Sequence, residues 1–334
     1  MKTALTFLTV IFLIVLAGCA PGVEGKKALT GKKKLLTVDF QEGQTLQYRF
    51  VSSKDIEVDW GPMKSGSKQG KNKVDKFSES MDMVVVYTPI EVDPYGLTTI
   101  KAICKSVRAS RTSSGPGRQG TGRDAVESLT GASFTFTVEP TGKIEDYSQL
   151  EELIKETGEK AFRPKGKEGR IKEPDMISDF TATQWFLWDS ISSIEKAAEG
   201  VRVGQSWKSK LSVPTPMVVR KARDVTYMLD EIRQTEKGQL AVIRSSYSLA
   251  DSVPDSWPVP YSSSFQMSGR FGLLGNYNFL NLEGQGEEQF NIDTGQTERY
   301  NQQYQVQLDA SFPMGISIRP RITIKQNLTM ELLK

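Results

Sequence analysis

The chain is 334 residues long, with 43 Lys and Arg against 40 Asp and Glu, two cysteines and no histidine. Hydrophobic residues are 38% and charged residues 25%, which excludes a disordered or wholly membrane-embedded chain. The missing histidine removes Ser-His-Asp and Cys-His catalysis, the common zinc sites and any imidazole pH switch. No pattern in the chain calls for a metal or a cofactor.

Residues 1–18 have the form of a signal peptide. Lys2 supplies the charge, and Ala4 to Leu16 are apolar apart from Thr6 and Thr9. That run is too short for a bilayer core, which needs ~20 residues. It ends in Leu16-Ala17-Gly18-Cys19, which resembles the lipobox of bacterial lipoproteins. The resemblance implies thioether lipidation of Cys19, cleavage before it, and acylation of the new amino terminus. In that family the residue after the cysteine influences sorting. Ala20 there favours the outer membrane over the inner in a cell that has one. The expected location is therefore the cell envelope, with the membrane as a partner through the lipid anchor.

Removing residues 1–18 takes away a single charge, that of Lys2, and leaves the chain near neutral. Nucleic-acid binding wants a strong basic excess and is not expected. Residues 19–34 read as a lipidated tether containing Pro21, Gly22, Gly25 and Gly31, with Lys26, Lys27, Lys32, Lys33 and Lys34 making it basic. Those lysines either lie against anionic headgroups, at roughly 1 kcal/mol each near the surface, or form a solvated spacer. Once Cys19 is the anchor, Cys104 has no partner for an intramolecular disulfide. It shares the alternating phase of Ile100 and Ala102, which predicts a buried, inert thiol.

The body is mainly β. Leu46, Tyr48, Phe50, Ile56, Val58 and Trp60 alternate with mostly polar neighbours, as do Tyr300, Tyr304, Val306 and Leu308. The last strand is the cleanest, with Ile322, Ile324, Leu328, Met330 and Leu332 in one phase. Further strands are expected near 80–92, 97–109, 132–139, 206–213, 222–235 and 239–250. Long strands with one wet face indicate antiparallel sheet covered on one side.

The features also repeat in order. Gly43-Gln44-Thr45-Leu46 returns as Gly204-Gln205-Ser206-Trp207, and the hairpin 92–97 has a counterpart at 235–240. Phe136 to Lys143 resembles Phe290 to Gln296, with one residue fewer. Each glycine falls where a tight turn needs positive φ. Unequal spacing puts insertions at 61–73 and 110–123 in the first repeat, and at 251–285 in the second.

Between the repeats an amphipathic helical pair is expected. Ser148 with Glu151 forms a capping box, and Pro174 opens a second helix running to about Glu199. That helix carries Met176, Ile177, Phe180, Leu187, Ile191, Ile194 and Ala198 on one stripe, which Trp185, Phe186 and Trp188 widen beyond one face. Such a helix must touch two surfaces. The sheet is one; the other half of the protein, a ligand or the membrane is the second. Phe180, Trp185, Phe186 and Trp188 are the candidate contacts for a ligand or partner.

Gly115-Pro116-Gly117-Arg118-Gln119-Gly120 matches G-x-G-x-x-G only as a string, since no βαβ context surrounds it. Ser65–Lys68 and Ser193–Lys196 match S-x-x-K without the companion elements of that motif.

The expected organisation is signal peptide 1–18, tether 19–34, first β repeat 35–146, helical segment 147–200 and second β repeat 201–334. As a whole the chain resembles the uncharacterised bacterial lipoproteins with a duplicated β domain, from which no activity carries over. Its long strands also resemble the half-open barrel of periplasmic lipoprotein carriers. One curved sheet, and two small sheets with one per repeat, both fit the pattern. The function expected is non-enzymatic binding of an apolar ligand or an envelope protein. The alternative is a carboxylate-dependent hydrolase of cell-wall glycan, which requires two convergent Asp or Glu side chains. Glu151-Glu152 and Glu287-Glu288 are acidic clusters, but their spacing selects no pair.

Overall fold

The computed structural model describes residues 30–62, 72–113, 125–146, 148–149, 152–153, 156, 199–213, 221–253, 275–311 and 318–333. Thirteen strands run through them: β1 (Thr30–Lys34), β2 (Leu46–Pro62), β3 (Asn72–Val92), β4 (Thr98–Ser113), β5 (Ser133–Val138), β6 (Ile144–Asp146), β7 (Val201–Val203), β8 (Ser206–Ser212), β9 (Ala222–Thr235), β10 (Gly238–Leu249), β11 (Gly275–Asn291), β12 (Gln296–Ser311) and β13 (Arg321–Leu332). Eleven of them form one antiparallel sheet in the order β6-β5-β4-β3-β2-β13-β12-β11-β10-β9-β8, and β1 pairs with β7 in a two-stranded ribbon. One sheet, not one per repeat, is therefore the arrangement.

The sheet order displays the duplication. Strands β2 to β6 and β8 to β12 are two five-stranded meanders laid side by side in the same sense. The carboxyl-terminal β13 is inserted between them, paired with β2 on one side and β12 on the other. Matching turns have matching geometry. Gly43 and Gly204 have φ of 76° and 85°, Gly96 and Gly238 86° and 121°, Gly142 and Gly295 87° and 64°. Gly43 N–H donates to Pro89 O, and Gly204 N–H to Leu229 O, so the entry turn of each meander docks on its second strand alike. Leu46 opposes Tyr87, and its counterpart Trp207 opposes Tyr227.

Antiparallel connection places the turns 93–97, 139–143, 236–237 and 292–295, and the end of β13, at one end of the sheet, here called the upper end. The segment 35–40 crosses that end as an extended strap. Val38 N–H donates to Pro140 O in the β5–β6 turn, and Asp39 N–H to Gly295 O in the β11–β12 turn, both at 3.2 Å. Those turns are six strand spacings apart, ~29 Å on a flat sheet. Consecutive Cα atoms are only ~3.8 Å apart. The upper end must curl until the two repeats meet across the strap. Among the described residues, edge strands β6 and β8 do not pair with each other, and the curve they bound is open.

One face of each long strand is buried. Leu46, Tyr48, Phe50, Ile56 and Val58 in β2, Ile322, Ile324, Leu328 and Met330 in β13, and Tyr300, Tyr304, Val306 and Leu308 in β12 belong to one hydrophobic cluster. Leu36, Val38 and Phe40 of the strap join it, as does Val201 of β7. A 3-10 turn, Ala125–Leu129, adds Val126 and Leu129.

The extra length expected in the second repeat is partly strand, since 275–285 is the first part of β11, which is 17 residues long against 6 in its counterpart β5. In the first repeat, Gly61, Pro62, Asn72 and Lys73 and residues 110–113 are likewise strand. At the start of the helical segment, Ser148, Gln149, Glu152, Leu153 and Glu156 are helical. The side chain holding that turn is Asp146, whose Oδ1 accepts the Ser148 N–H at 2.9 Å. This backbone bond holds the Asp146 carboxyl below the usual range. Most of 147–200, with the span expected to form the second helix, lies outside the described residues, as do the G-x-G-x-x-G string and both S-x-x-K matches.

Candidate functional site

The strap, the curled sheet end and the adjoining turns line an open cleft of about 420 Å³. Volumes of 300–1,000 Å³ are typical of small-molecule sites. Its apolar lining is Val38 and Phe40 of the strap, Val92 at the end of β3, Pro140 and Ile292. Thr37, Asp39, Thr98 and Asp293 supply polar lining. The polar groups are partly committed to holding the cleft. Asp293 Oδ2 accepts the Gln239 N–H at 2.9 Å, and Thr98 Oγ1 donates to Gly96 O at 3.2 Å. The lining is therefore mixed, with apolar and polar side chains in similar measure.

Residues 30–34 join the fold at this same end. Strand β1 pairs with β7, Lys34 Nζ donates to Gln239 Oε1 at 2.8 Å, and Lys33 lies 3.8 Å from Glu199. The strap follows directly. The strap that follows β1 thus supplies Thr37, Val38, Asp39 and Phe40 to the cleft.

Below the cleft, the buried face of the sheet is interrupted by a polar belt. The strand registers align Arg111, Glu79, Lys54, Gln326, Tyr304, Gly284, Tyr247 and Val225 in one row across eight strands. The adjacent row holds Ser52, Gln302, Gly286 and Ser245. Apolar rows lie on both sides, with Phe50 and Met330 above and Ile56, Ile324 and Val306 below.

Buried polar groups need partners, and the belt supplies many internally. Arg111 and Glu79 are 3.2 Å apart. Gln326 donates to Ser52 Oγ at 3.2 Å and accepts from the Tyr304 hydroxyl. The Arg223 guanidinium stacks on Tyr247 at 4.8 Å from the ring centroid, and the Gln302 side-chain oxygen turns to accept from it. Tyr247 OH lies 2.7 Å from Ser245 Oγ and 2.9 Å from Tyr300 OH. Above the belt, Tyr48 OH donates to Thr297 O at 2.9 Å, and Thr297 Oγ1 to Glu288 Oε1 at 2.7 Å. Burial, then the Glu288 and Glu298 charges, push the Tyr48 phenol far above its ordinary value.

Among the described residues, each buried carboxylate is engaged by a side chain of another kind. Glu79 on β3 is tied to Arg111, Glu288 on β11 accepts from Thr297, and Asp230 on β9 lies 3.1 Å from Arg244. Glu79 and Glu288 are four strands apart in the sheet. Of the acidic clusters read from the sequence, Glu287-Glu288 has only Glu288 buried, and Glu152 is exposed. Among the described residues no group of three His, Cys, Asp or Glu side chains could hold a metal ion.

Cys104 is buried, and desolvation pushes its thiol up to about 11, as its strand phase predicts. Cys19, Phe180, Trp185, Phe186 and Trp188 lie outside the described residues. The strap and the belt were not singled out from sequence. Signals for both exist: Leu36, Val38 and Phe40 alternate, and Ser52, Lys54, Gln302 and Gln326 sit in the apolar phase of their strands.

No protein-family model matches this chain, and no curated protein matches its sequence. Among solved structures it is similar to a chain from "Lipid-protein interactions in lipovitellin", at 9% identity and a TM-score of 0.47. The similarity covers 89% of this chain but 26% of the lipovitellin chain, so this chain spans about a quarter of that protein's length.

Proposed function

We propose that this chain is a lipid-anchored lipoprotein of the bacterial envelope that binds an apolar ligand, without catalysis, at the upper end of its curved sheet. The anchor is Cys19 of the lipobox, and Ala20 favours the outer membrane. The observation that carries the ligand reading is the cleft itself, formed where the strap pins the two repeats together. Supporting it is proximity. From Cys19 to Thr30 a fully extended chain reaches at most about 40 Å, so the cleft end stays near the bilayer that holds the anchor. An acyl chain has only a short path from that bilayer to Val38, Phe40 and Ile292.

The test is binding of a fluorescent polyene fatty acid to the full lipidated protein, compared with Val92→Trp. Val92 lines the cleft and is half-buried, so an indole there fills space without entering the deep core. Saturable fluorescence enhancement in the wild type, weakened at least tenfold in Val92→Trp, supports the proposal. Equal binding by both proteins, or binding by neither, overturns the cleft as the site.

A further inference from the structure

Large exposed apolar side chains are unevenly distributed over the described residues. Val51, Val74 and Leu280 are scattered along the body, whereas Leu35, Ile90, Tyr95, Leu97 and Leu333 all lie at the upper end. Tyr95 is the extreme case, 90% exposed at the tip of the β3–β4 hairpin. Single exposed apolar residues need no explanation, but a cluster at one pole does.

The hairpin tip is held rigidly outward. Asp93 Oδ1 accepts the N–H groups of Tyr95 and Leu97, both at 2.8 Å, and Asp93 N–H donates to Leu97 O at 2.9 Å. Gly96 N–H closes the turn on Asp93 O at 3.0 Å. The turn therefore presents Tyr95 without using it for anything inside the protein. Leu35 belongs to the strap, and Leu333 is fixed by its N–H bond to Gln47 O at 2.7 Å.

We infer that this pole is a membrane-docking surface, in which Tyr95, Leu97, Ile90, Leu35 and Leu333 seat in the interfacial layer of the bilayer carrying the anchor. This rests on the lipid-anchor reading above. The occupant follows from the sequence: Thr30 comes eleven positions after Cys19, and β1 runs from Thr30 to Lys34 directly before Leu35, so the bilayer that holds the anchor is the surface kept close to this pole. Amphipathic tyrosine and exposed aliphatic side chains are the residue types that the membrane interface favours. Glu91 and Asp93 flank the tip, so its contact is with the apolar margin of the headgroup layer rather than with anionic charge.

The experiment uses the full lipidated protein in phosphatidylcholine vesicles, with an environment-sensitive fluorophore on Tyr95→Cys or, at the far end of β3, on Val74→Cys. Cys19 is blocked by lipid in this reading, and Cys104 is buried, so each label is selective. Docking predicts a blue-shifted Tyr95→Cys label, quenched by lipid-borne nitroxide severalfold more than the Val74→Cys label. Equal, weak quenching at both sites while the protein floats with the vesicles overturns docking and leaves the anchor standing. A blue shift without vesicles also overturns it, because a protein contact then covers the tip. Protein that does not float with vesicles overturns the anchor reading and this inference together.

Discussion

Gly295 is where the strap meets the second repeat, and alanine there is the sharpest perturbation of the upper end. Its φ of 64° is left-handed, which alone costs an L residue about 1–2 kcal/mol. A Cβ at 295 would fall onto the Asp39 nitrogen and lie 2.6 Å from the Asp39 Cβ, so the strap must shift. The Asp39 N–H to Gly295 O bond is then stretched or lost, adding about 1 kcal/mol, and the burial of neighbouring Val38 and Phe40 is loosened. The expected destabilisation is about 2–4 kcal/mol in total. Gly43→Ala is the internal reference. Its φ is 76°, but nothing lies within 4 Å of a Cβ there, so only the backbone cost of about 1–2 kcal/mol applies. Urea unfolding midpoints give the two losses, and amide exchange of residues 36–40 reports the strap directly. Gly295→Ala should lose more stability than Gly43→Ala and should speed exchange at Val38 and Asp39. Equal losses, with exchange of the strap unchanged, would refute the idea that the strap pins the two repeats together.

Three further outcomes are expected. Tyr48→Phe should lose about 1 kcal/mol at neutral pH, from the hydrogen bond to Thr297 O. Because the folded phenol titrates above its unfolded value near 10, the folded state binds more protons beyond that pH and wild-type stability falls as pH rises past about 10. Tyr48→Phe lacks this decline, so its gap to the wild type should narrow between neutral pH and above about 10; a constant gap in denaturant midpoint contradicts the assignment. Native Cys104 should resist a thiol reagent that labels it promptly in urea, given its burial and raised pKa; rapid native labelling would be inconsistent with a closed core. Gly284→Ala places a Cβ 2.6 Å from the Tyr304 Cβ and 2.9 Å from Tyr247. Overpacking of that kind costs typically 1–3 kcal/mol, and an unchanged unfolding midpoint would show that the belt can relax.

Period-two alternation made most of the sheet legible. The strands expected at 46–60, 97–109, 206–213, 222–235 and 239–250 are β2, β4, β8, β9 and β10 with ends shifted by a few residues, because half-covered sheet writes its burial into the sequence. The first part of β11 escaped that reading for a physical reason. Its inward positions include Gly284 and Gly286, and the side chain of Tyr247, with the Tyr304 Cβ and Ser245 Oγ, occupies the space their side chains would fill. The apolar surface there belongs to neighbouring strands, so β11 itself carries no alternating signal. The belt was obscured in the opposite way: Ser52, Lys54, Gln302 and Gln326 read as breaks in alternation, and only strand register shows that they share a level. Gly43 with Gly204, Gly96 with Gly238 and Gly142 with Gly295 disclosed the duplication, because turn geometry is local. The insertion of β13 between the meanders is a long-range pairing with no local signature. The strap's role was hidden similarly, since its bonds to Pro140 and Gly295 depend on the curl of the whole sheet.

The central claim is that the cleft of this anchored protein holds an apolar ligand, and native mass spectrometry of the full protein extracted from its own membrane tests it most directly. The account predicts a mature chain beginning at Cys19 with acyl mass attached, carrying a further non-covalent lipid mass that Val92→Trp loses. A wild-type spectrum showing the acylated chain with no additional lipid, across mild extraction conditions, would contradict it.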